Sequence, residues 1–119
     1  MVNTQVALDE IRDEIIEHLR TRYMYWAVGT GTTPETKQDT QLENEVFRDA
    51  VDEVLVSVNR VLFRCYLSTA DANGYNISEF GLFDSPSGGT MLFRKTFAPI
   101  GKTADIDIWF EVEEYITVV

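Results

Sequence analysis

The last third of the chain carries the pattern that most restricts the fold. Residues 105–112 alternate strictly, and their apolar parity consists of Ile106, Ile108, Phe110 and Val112. The other parity consists of Asp105, Asp107, Trp109 and Glu111. A period of two with one polar face is typical of an antiparallel strand with one buried side. Turn sequences at residues 85–89 and 99–102 separate this strand from two further apolar runs, so residues 76–119 predict a β-meander.

Upstream runs predict further strands. Residues 23–28 are short and rich in aromatic side chains, which favours a first strand. Residues 51–58 and 61–67 predict a hairpin that turns at Asn59-Arg60. Their apolar positions alternate as Val54, Val56 and Val58, and as Val61, Phe63, Cys65 and Leu67.

Three segments depart from simple alternation. Residues 41–50 indicate a short helical turn or an irregular strand with Leu42 as one inward anchor. In residues 77–83 the apolar parity changes around Gly81, which predicts a bulge or a close backbone approach. Residues 90–97 have no purely apolar face. Such a strand fits a sheet edge, or a position between this sheet and a neighbouring molecule.

Residues 4–20 predict an amphipathic helix. The apolar stripe recurs at spacings of three and four and consists of Leu8, Ile11, Ile15 and Leu19. Asn3 or Thr4 is the expected N-cap. A helix of this length is marginal alone, so either the sheet or another subunit must cover the stripe. His18, the sole histidine, is interpreted as a cation near the negative helix end, not as a ligand or a base.

The expected fold is therefore mainly β: an antiparallel two-layer β-sandwich of six or seven strands with an N-terminal amphipathic helix. The 119 residues suffice for one domain with its own core. We expect a single domain over 1–119, with the helix at 4–20 and the sandwich at 23–119.

The charge balance limits the classes of partner. Twenty acids against ten bases give a net charge of −10. Nucleic-acid binding needs clustered cations, and the ten bases here are scattered, so we expect no nucleic-acid partner. Only three of the bases are lysines, a bias that favours a high-salt host, although an ordinary acidic soluble protein has the same net charge. Acids lie near the N-terminus, and the sequence contains no long apolar run. We therefore expect neither export nor membrane insertion.

No pattern in the sequence predicts catalysis. The lone Cys65 allows no internal disulfide and fits a buried apolar position. The segment from Gly29 to Gly31 lacks the further glycine or the Gly-Lys-Ser/Thr of a nucleotide loop, and predicts a surface turn instead. Acid pairs at 43/45, 105/107 and 111/113 are interpreted as a solvated face or as weak cation sites, because nothing places one acid in a drier environment than its neighbour. We expect no enzyme, no cofactor and no metal.

Several motifs occur in a fixed order along the chain. They are GTGTT at residues 29–33, TQLENEVFR at 40–48, EFGLFD at 79–84, GGTMLFR at 88–94 and FAPIGK at 97–102. In this order they resemble a group of small structural proteins of tailed viruses, and the resemblance covers roughly residues 25–119. The acid-rich, lysine-poor composition looks like a version from a virus of a haloarchaeal host.

The resemblance implies a non-catalytic virion protein of the tail, tail fibre or baseplate, made in the host cytoplasm. It also implies partners that are copies of the chain, as a trimer or hexamer, and other virion proteins. Symmetric assembly requires exposed apolar surface. The candidate interface residues are Leu8, Ile11, Ile15, Leu19, Tyr23, Tyr25, Trp26, Met91, Phe93 and Trp109. For the helix and the first strand, an intramolecular core is the alternative. Trp109 favours an interface because it lies among acids.

Two other functions remain open at this stage. A capsid decoration or head-fibre protein has the same chemistry at another place in the particle. A receptor module would bind a glycan or a cation through Trp26, Trp109 and the acidic loops, and contact with a host receptor fits either position in the particle.

Overall fold

The computed structural model describes residues 2–117, which form one helix followed by seven strands. In chain order the elements are α1 (Gln5–Arg22), β1 (Tyr25–Gly29), β2 (Glu45–Ala50), β3 (Glu53–Ser57), β4 (Arg60–Leu67), β5 (Asn76–Phe83), β6 (Met91–Gly101) and β7 (Ile108–Tyr115). The predicted mainly β class, with two antiparallel layers and an N-terminal helix, is confirmed. Residues 1, 118 and 119 of the predicted domain lie outside the described residues.

Two antiparallel sheets pack across the main core. Sheet 1 has the strand order β2-β1-β5-β6, and sheet 2 has the order β3-β4-β7. The Phe80 ring of sheet 1 stacks on the Phe110 ring of sheet 2 at a centroid distance of 4.6 Å. Trp26 lies 6.1 Å from Phe80 and 6.2 Å from Phe110. Burial of each large side chain stabilises the fold by roughly 1.5–3 kcal/mol, so these rings are a main apolar link between the sheets.

The helix is longer than its predicted range of 4–20. Thr4, one of the two predicted caps, accepts a hydrogen bond from the Ala7 amide at 3.3 Å. At the other end, the Tyr23 amide donates to the Leu19 carbonyl at 3.3 Å. The prediction that a strand begins at Tyr23 is therefore wrong, because this residue caps the helix and β1 begins at Tyr25.

The segment predicted as a helical turn or irregular strand contains β2, which pairs with β1. Leu42, just before β2, is 3% exposed, in agreement with its prediction as an inward anchor. The register between β1 and β2 shifts between Val28 and Gly29. This shift lets the chain leave the ladder where residues 30–44 begin.

The hairpin of β3 and β4 has a two-residue turn at Val58 and Asn59, because Ser57 pairs with Arg60. The alternation predicted for β4 is confirmed, and its inward side chains are all fully buried. The inward stripe predicted for β3 is wrong at Val56 and Val58, which are 49% and 71% exposed. β3 is an edge strand of sheet 2, so little covers its outer positions.

β5 is buried along nearly its whole length. Its register with β6 shifts between Ile77 and Glu79 and again near Phe83, and β6 is an edge strand of sheet 1. The predicted close approach at Gly81 is confirmed, since a Cβ there would lie 3.0 Å from the Phe93 carbonyl oxygen.

Residues 30–44, here called the cover loop, lie against the face of sheet 1 that points away from sheet 2. Leu42 of the cover loop packs with Ala27 and Phe83, and Tyr25 and Met91 border this second, smaller core. Sheet 1 is therefore covered on both faces. A strand covered on both faces has no wet side, which explains why the sequence of β5 does not alternate.

Candidate functional site

The most highly organised polar site lies between the cover loop and β5. The Glu79 side chain is fully buried and receives four hydrogen bonds of 2.8 Å. Three come from the backbone amides of Gly31, Glu43 and Asn44, and the fourth comes from Arg94 Nε. We call these five residues the carboxylate node. A buried charge of this kind is tolerated because every oxygen is satisfied by donors.

Electrostatics at the node favour the ionised carboxylate. Burial by itself raises the pKa of Glu79, but the hydrogen bonds from Arg94 and the three amides outweigh burial, and the pKa lies below its ordinary value of 4.5. The Arg94 side chain is only 3% exposed and also reaches Asp39 Oδ2 at 3.1 Å. Asp39 has a lowered pKa as well, chiefly because it accepts from the Thr36 amide. The guanidinium, on β6, therefore ties Asp39 of the cover loop to Glu79 of β5.

The two glycines of the Gly-x-Gly segment have a specific role at the node. A Cβ on Gly29 would collide with the Asn44 carbonyl group and would lie 2.5 Å from Glu79 Oε2. A Cβ on Gly31 would also lie 2.5 Å from that oxygen, and would collide with Glu43. Both glycines let the backbone approach the buried carboxylate closely. The surface turn predicted here is in fact a segment packed inward against Glu79.

Other acids near the node act as acceptors that order loops. Glu43 accepts from the amides of Thr32 and Thr33 at 2.9 and 3.3 Å. Glu35 accepts from the Thr96 hydroxyl on β6, which is the chief reason that its pKa falls to about 2. Glu43 is exposed, in agreement with the interpretation of the 43/45 pair as solvated, and its carboxylate also shapes the cover loop.

No pattern in the sequence predicts the node directly. A single acid inside the apolar run of residues 77–83, and a single arginine inside the mixed run of residues 90–97, are its only local signals. Their pairing depends on the register between β5 and β6, where Glu79 is opposite Thr96 and Gly81 is opposite Arg94. Such a pairing across 15 residues is visible only after the strands are aligned.

The structure separates the ten predicted interface residues into two groups. Leu19, Tyr23 and Trp26 are 8%, 8% and 0% exposed and belong to the main core, so their assignment to an interface is wrong. The alternative of an intramolecular core applies to them, because α1 ends against the sandwich and β1 lies inside sheet 1. Of the others, Leu8, Tyr25, Met91 and Phe93 are half-buried. Ile11, Ile15 and Trp109 are exposed.

Most of α1 is not packed against the sandwich. Only Ile16 and Leu19 of its 18 residues are buried. Ile11 and Ile15 are 46% and 38% exposed. A helix of this length spans about 27 Å, roughly half of the 57 Å long axis of the molecule. The apolar stripe is therefore divided, with its C-terminal part in the core and its middle open to solvent.

The outer face of sheet 2 is an ordered polar and aromatic surface. Trp109, which is 48% exposed, lies beside the Tyr66 ring at 4.7 Å and under the Arg64 guanidinium at 4.6 Å. Arg64 also forms ion pairs with Glu53 and Glu111 at 2.8 and 3.1 Å. These side-chain contacts hold the indole ring of Trp109 in one orientation. The interface role predicted for Trp109 stays a prediction.

An apolar cleft of about 360 Å³ opens between β6 and β7. Its lining includes Phe80, Phe93, Phe97, Phe110 and Val112, and all but Phe80 are half-buried. Four phenyl rings lie along it in two neighbouring pairs, since Phe97 lies 6.0 Å from Phe110 and Phe93 lies 5.9 Å from Phe80. The cleft has the apolar character of a binding surface and lies at an open side of the sandwich.

Cys65 and His18, the side chains considered for catalysis or metal binding, lie on different elements of the fold. Cys65 is buried in β4, where burial raises the pKa of its thiol, and His18 lies on α1 beside the Tyr23 ring at 6.2 Å. Within residues 2–117, no group of three or more His, Cys, Asp or Glu side chains is placed to hold a metal ion. Over the same residues, no helix is long and apolar enough to cross a bilayer.

Glu114 provides a prediction about stability. It shares the inward face of β7 with Phe110 and Val112, and burial raises the pKa of its carboxyl. A raised folded pKa means that stability is lost as the pH rises from the ordinary value of 4.5 through the folded pKa, and that the full cost is present at neutral pH. Glu114→Gln should therefore raise the free energy of unfolding at pH 7 by on the order of 0.5 kcal/mol.

The Glu114 prediction is checked by denaturant unfolding at pH 7 and pH 4, at the lowest protein concentration that gives a readable signal. The gain over the wild type should shrink at pH 4, where the wild-type carboxyl also carries a proton. Glu14→Gln on the exposed surface of α1 is the matched control. A gain of equal size for both variants, or a gain that does not depend on pH, would contradict the burial argument.

Comparison with models of protein families gives no match to this chain, and comparison with curated proteins gives none either. The resemblance of residues 25–119 to structural proteins of tailed viruses therefore stays a prediction.

Proposed function

We propose that this protein is a non-catalytic structural subunit of a tailed-virus particle. It would form homo-oligomers, as a trimer or a hexamer, in the tail, tail fibre or baseplate, in a virus of a halophilic archaeal host. The motif resemblance supports the virion assignment. The observation that carries the assembly role is the exposed middle of the α1 stripe at Ile11 and Ile15.

The helix supports assembly because its two halves have different surroundings. Its C-terminal part is anchored through Ile16 and Leu19, so the exposed part is held at a fixed position on the sandwich. Fixed apolar surface needs little ordering when copies associate, which favours binding. Several apolar side chains on one helix face form the kind of seam through which helices of identical subunits pack.

The node supports a role as a rigid part. Four of the five resembling motifs contribute to the node or to the loops around it: Gly31, Glu43 and Asn44, Glu79, and Arg94 belong to residues 29–33, 40–48, 79–84 and 88–94. Their shared function in this chain is to fix the cover loop on sheet 1. A loop fixed in this way presents one constant surface to neighbouring virion proteins.

A capsid decoration or head-fibre protein is the alternative with the same chemistry. Mass spectrometry of separated heads and tails from purified particles distinguishes the two positions. A receptor module has weaker support, because Trp26 is fully buried and only Trp109 of the two tryptophans is available to a ligand.

Substitution on the helix tests the assembly role. Ile11→Glu combined with Ile15→Glu should reduce self-association at least tenfold, since each change places a charge in the proposed contact, and tenfold corresponds to about 1.4 kcal/mol. Sedimentation or native mass spectrometry in dilute and in molar salt measures the effect. Val6→Glu is the matched control, because Val6 is 70% exposed on the same helix but lies off the stripe.

The wild type should show a defined oligomer that is favoured by salt, because salt screens the repulsion between acidic copies. A wild-type monomer at high protein concentration in both buffers would overturn the assembly role. So would equal association of the stripe variant and the Val6→Glu control.

A further inference from the structure

The two sheets are connected along one side of the sandwich and open along the other. On the connected side, β2 continues directly into β3 through residues 51 and 52. The Val51 amide donates to the Met24 carbonyl at 2.8 Å, and the Asp52 amide donates to the Arg64 carbonyl at 3.0 Å. On the open side, β6 and β7 are the outermost strands of their sheets within the described chain. A free strand edge is a template for pairing with another chain.

The interior of the sandwich is accessible between these two free edges. The cleft of about 360 Å³ lies there, and its half-buried walls come from Phe93 and Phe97 on β6 and from Phe110 and Val112 on β7. The open side thus combines an apolar interior with two strand edges that pair with no further strand of the described chain, and the Thr96 amide of β6 donates to the Glu35 carboxylate of the cover loop. An occupant that provides strands to pair with the two edges, and apolar side chains to fill the cleft, would cover the open side.

Each of the two edge strands also carries one charge on the face that points toward the other sheet: Lys95 lines the cleft, and Glu114 lies on β7 beyond the cleft lining. Lys95 is opposite Phe80 in the ladder, shares a face with Phe93, and is 68% exposed with a 3.4 Å contact to Glu35. Glu114 is opposite Val61 and shares a face with Val112. On this face, β6 therefore presents one cation, which contacts Glu35 of the cover loop, and β7 presents one anion.

We propose that the open side binds the same side of a second copy of this chain through a two-fold axis. β6 of each copy would lie beside β7 of the other, and Lys95 of each would lie beside Glu114 of the other. A two-fold interface has to be self-complementary, and one exposed cation on β6 plus one anion on β7 meets that condition. The occupant is a second copy because each copy supplies both the cation and the anion that the other copy needs. The strands pair as β6 with β7 because pairing of β6 with β6, or of β7 with β7, would bring like charges together. The inference rests on the proposed homo-oligomeric role but uses a different surface.

Disulfide trapping between two single variants tests the contact directly. Lys95→Cys and Glu114→Cys proteins are purified separately, mixed and oxidised, and the products are separated without reductant. Cys65 is buried and does not compete. A disulfide forms only where Cα atoms approach within about 7 Å, so the heterodimer should exceed both homodimers. A mixture of Lys95→Cys with Glu10→Cys on the helix is the control. No product, or homodimers alone, would overturn the two-fold contact.

A charge swap provides an independent measurement. Lys95→Glu and Glu114→Lys should each raise the dissociation constant of the dimer about tenfold, because each places like charges across the contact. The double variant should return to near the wild-type affinity. Double-variant affinity no better than that of the single variants would overturn the pairing. Far-UV circular dichroism confirms that each variant is folded, and the cysteine mixture decides for any variant that is not.

Repeating the trapping in the Ile11→Glu, Ile15→Glu background separates this contact from the helix surface. The cross-link should persist there, because α1 takes no part in it. Loss of the cross-link in this folded background would overturn an independent two-fold contact and leave helix-based assembly standing. A persistent cross-link together with an unchanged oligomer mass supports the two-fold contact and contradicts the role proposed for the helix.

Discussion

Glu79→Gln is expected to lower the free energy of unfolding at pH 7 by about 3–5 kcal/mol, the usual loss when one partner of a buried ion pair is removed. The reason is geometric. Oε1 accepts from Arg94 Nε and the Glu43 amide, and Oε2 accepts from the amides of Gly31 and Asn44. In glutamine, an NH2 group replaces one of these two oxygens. This NH2 group is a donor, and it would face two further donors from which it cannot accept a hydrogen bond. Arg94 would also remain buried without its carboxylate.

Thermal and denaturant unfolding measure this loss, which corresponds to a fall in Tm of roughly 10–20 °C. The pH dependence gives a second readout. The folded pKa of Glu79 lies below 4.5, so its contribution is present above that pH and is lost as the pH falls through the folded pKa. The difference between variant and wild type should therefore shrink in acid. Glu14→Gln, on the exposed helix surface, should leave stability nearly unchanged. A Glu79→Gln protein within about 1 kcal/mol of the wild type would contradict the node as a structural centre.

Gly29→Ala is expected to lower the free energy of unfolding by about 3 kcal/mol, at the upper end of the usual cost of overpacking. The added methyl group would collide with the Asn44 carbonyl group and would lie 2.5 Å from Glu79 Oε2. The Asn44 carbonyl belongs to the backbone, so no side-chain rotation relieves the collision. To relieve the collision, either the cover loop shifts or β1 separates from β2 in sheet 1. Chemical unfolding at neutral pH gives the magnitude.

Gly101→Ala is the matched control for this substitution. The nearest atom to its added Cβ is Asn76 Oδ1 at 3.6 Å, an ordinary van der Waals contact. This variant should lie within about 0.5 kcal/mol of the wild type. Similar losses for both alanine variants would show that the cost reflects backbone entropy or β propensity, and not close approach to the node.

The parts of the fold that were predictable from the sequence are those in which one strand face is dry and the other wet. β4 and β7 meet this condition, and their alternation in residues 61–67 and 108–112 identified the inward side chains. Ile106 was predicted on the same inward face, and this prediction is wrong, because Ile106 precedes β7 and is 36% exposed. β5 does not meet it, since the main core covers one face and the cover loop covers the other. Its Glu79 therefore occupies a buried position that no period of two could distinguish from a solvent-facing one.

The errors on the predicted interface have a similar physical cause. A helix stripe predicts that something covers it, but not whether the cover comes from the same chain. Leu19 meets the sandwich and Ile11 does not, because the helix leaves the sandwich partway along its length. For Trp26, an aromatic-rich short strand fits a central position as well as an exposed one. The order β2-β1-β5-β6, which buries it, arises from contacts between residues far apart in the chain.

Burial of the carboxylate node has a consequence for behaviour in brine. At an ionic strength of 1 M, counter-ions attenuate charge interactions beyond about 3 Å in solution, so the exposed pairs on sheet 2 contribute little there. Glu79 and the Arg94 side chain are 0% and 3% exposed, and mobile ions do not reach the space between them. The attraction that holds the cover loop is thus insulated from ionic strength, and we expect the loop to keep the same shape in dilute buffer and in concentrated brine.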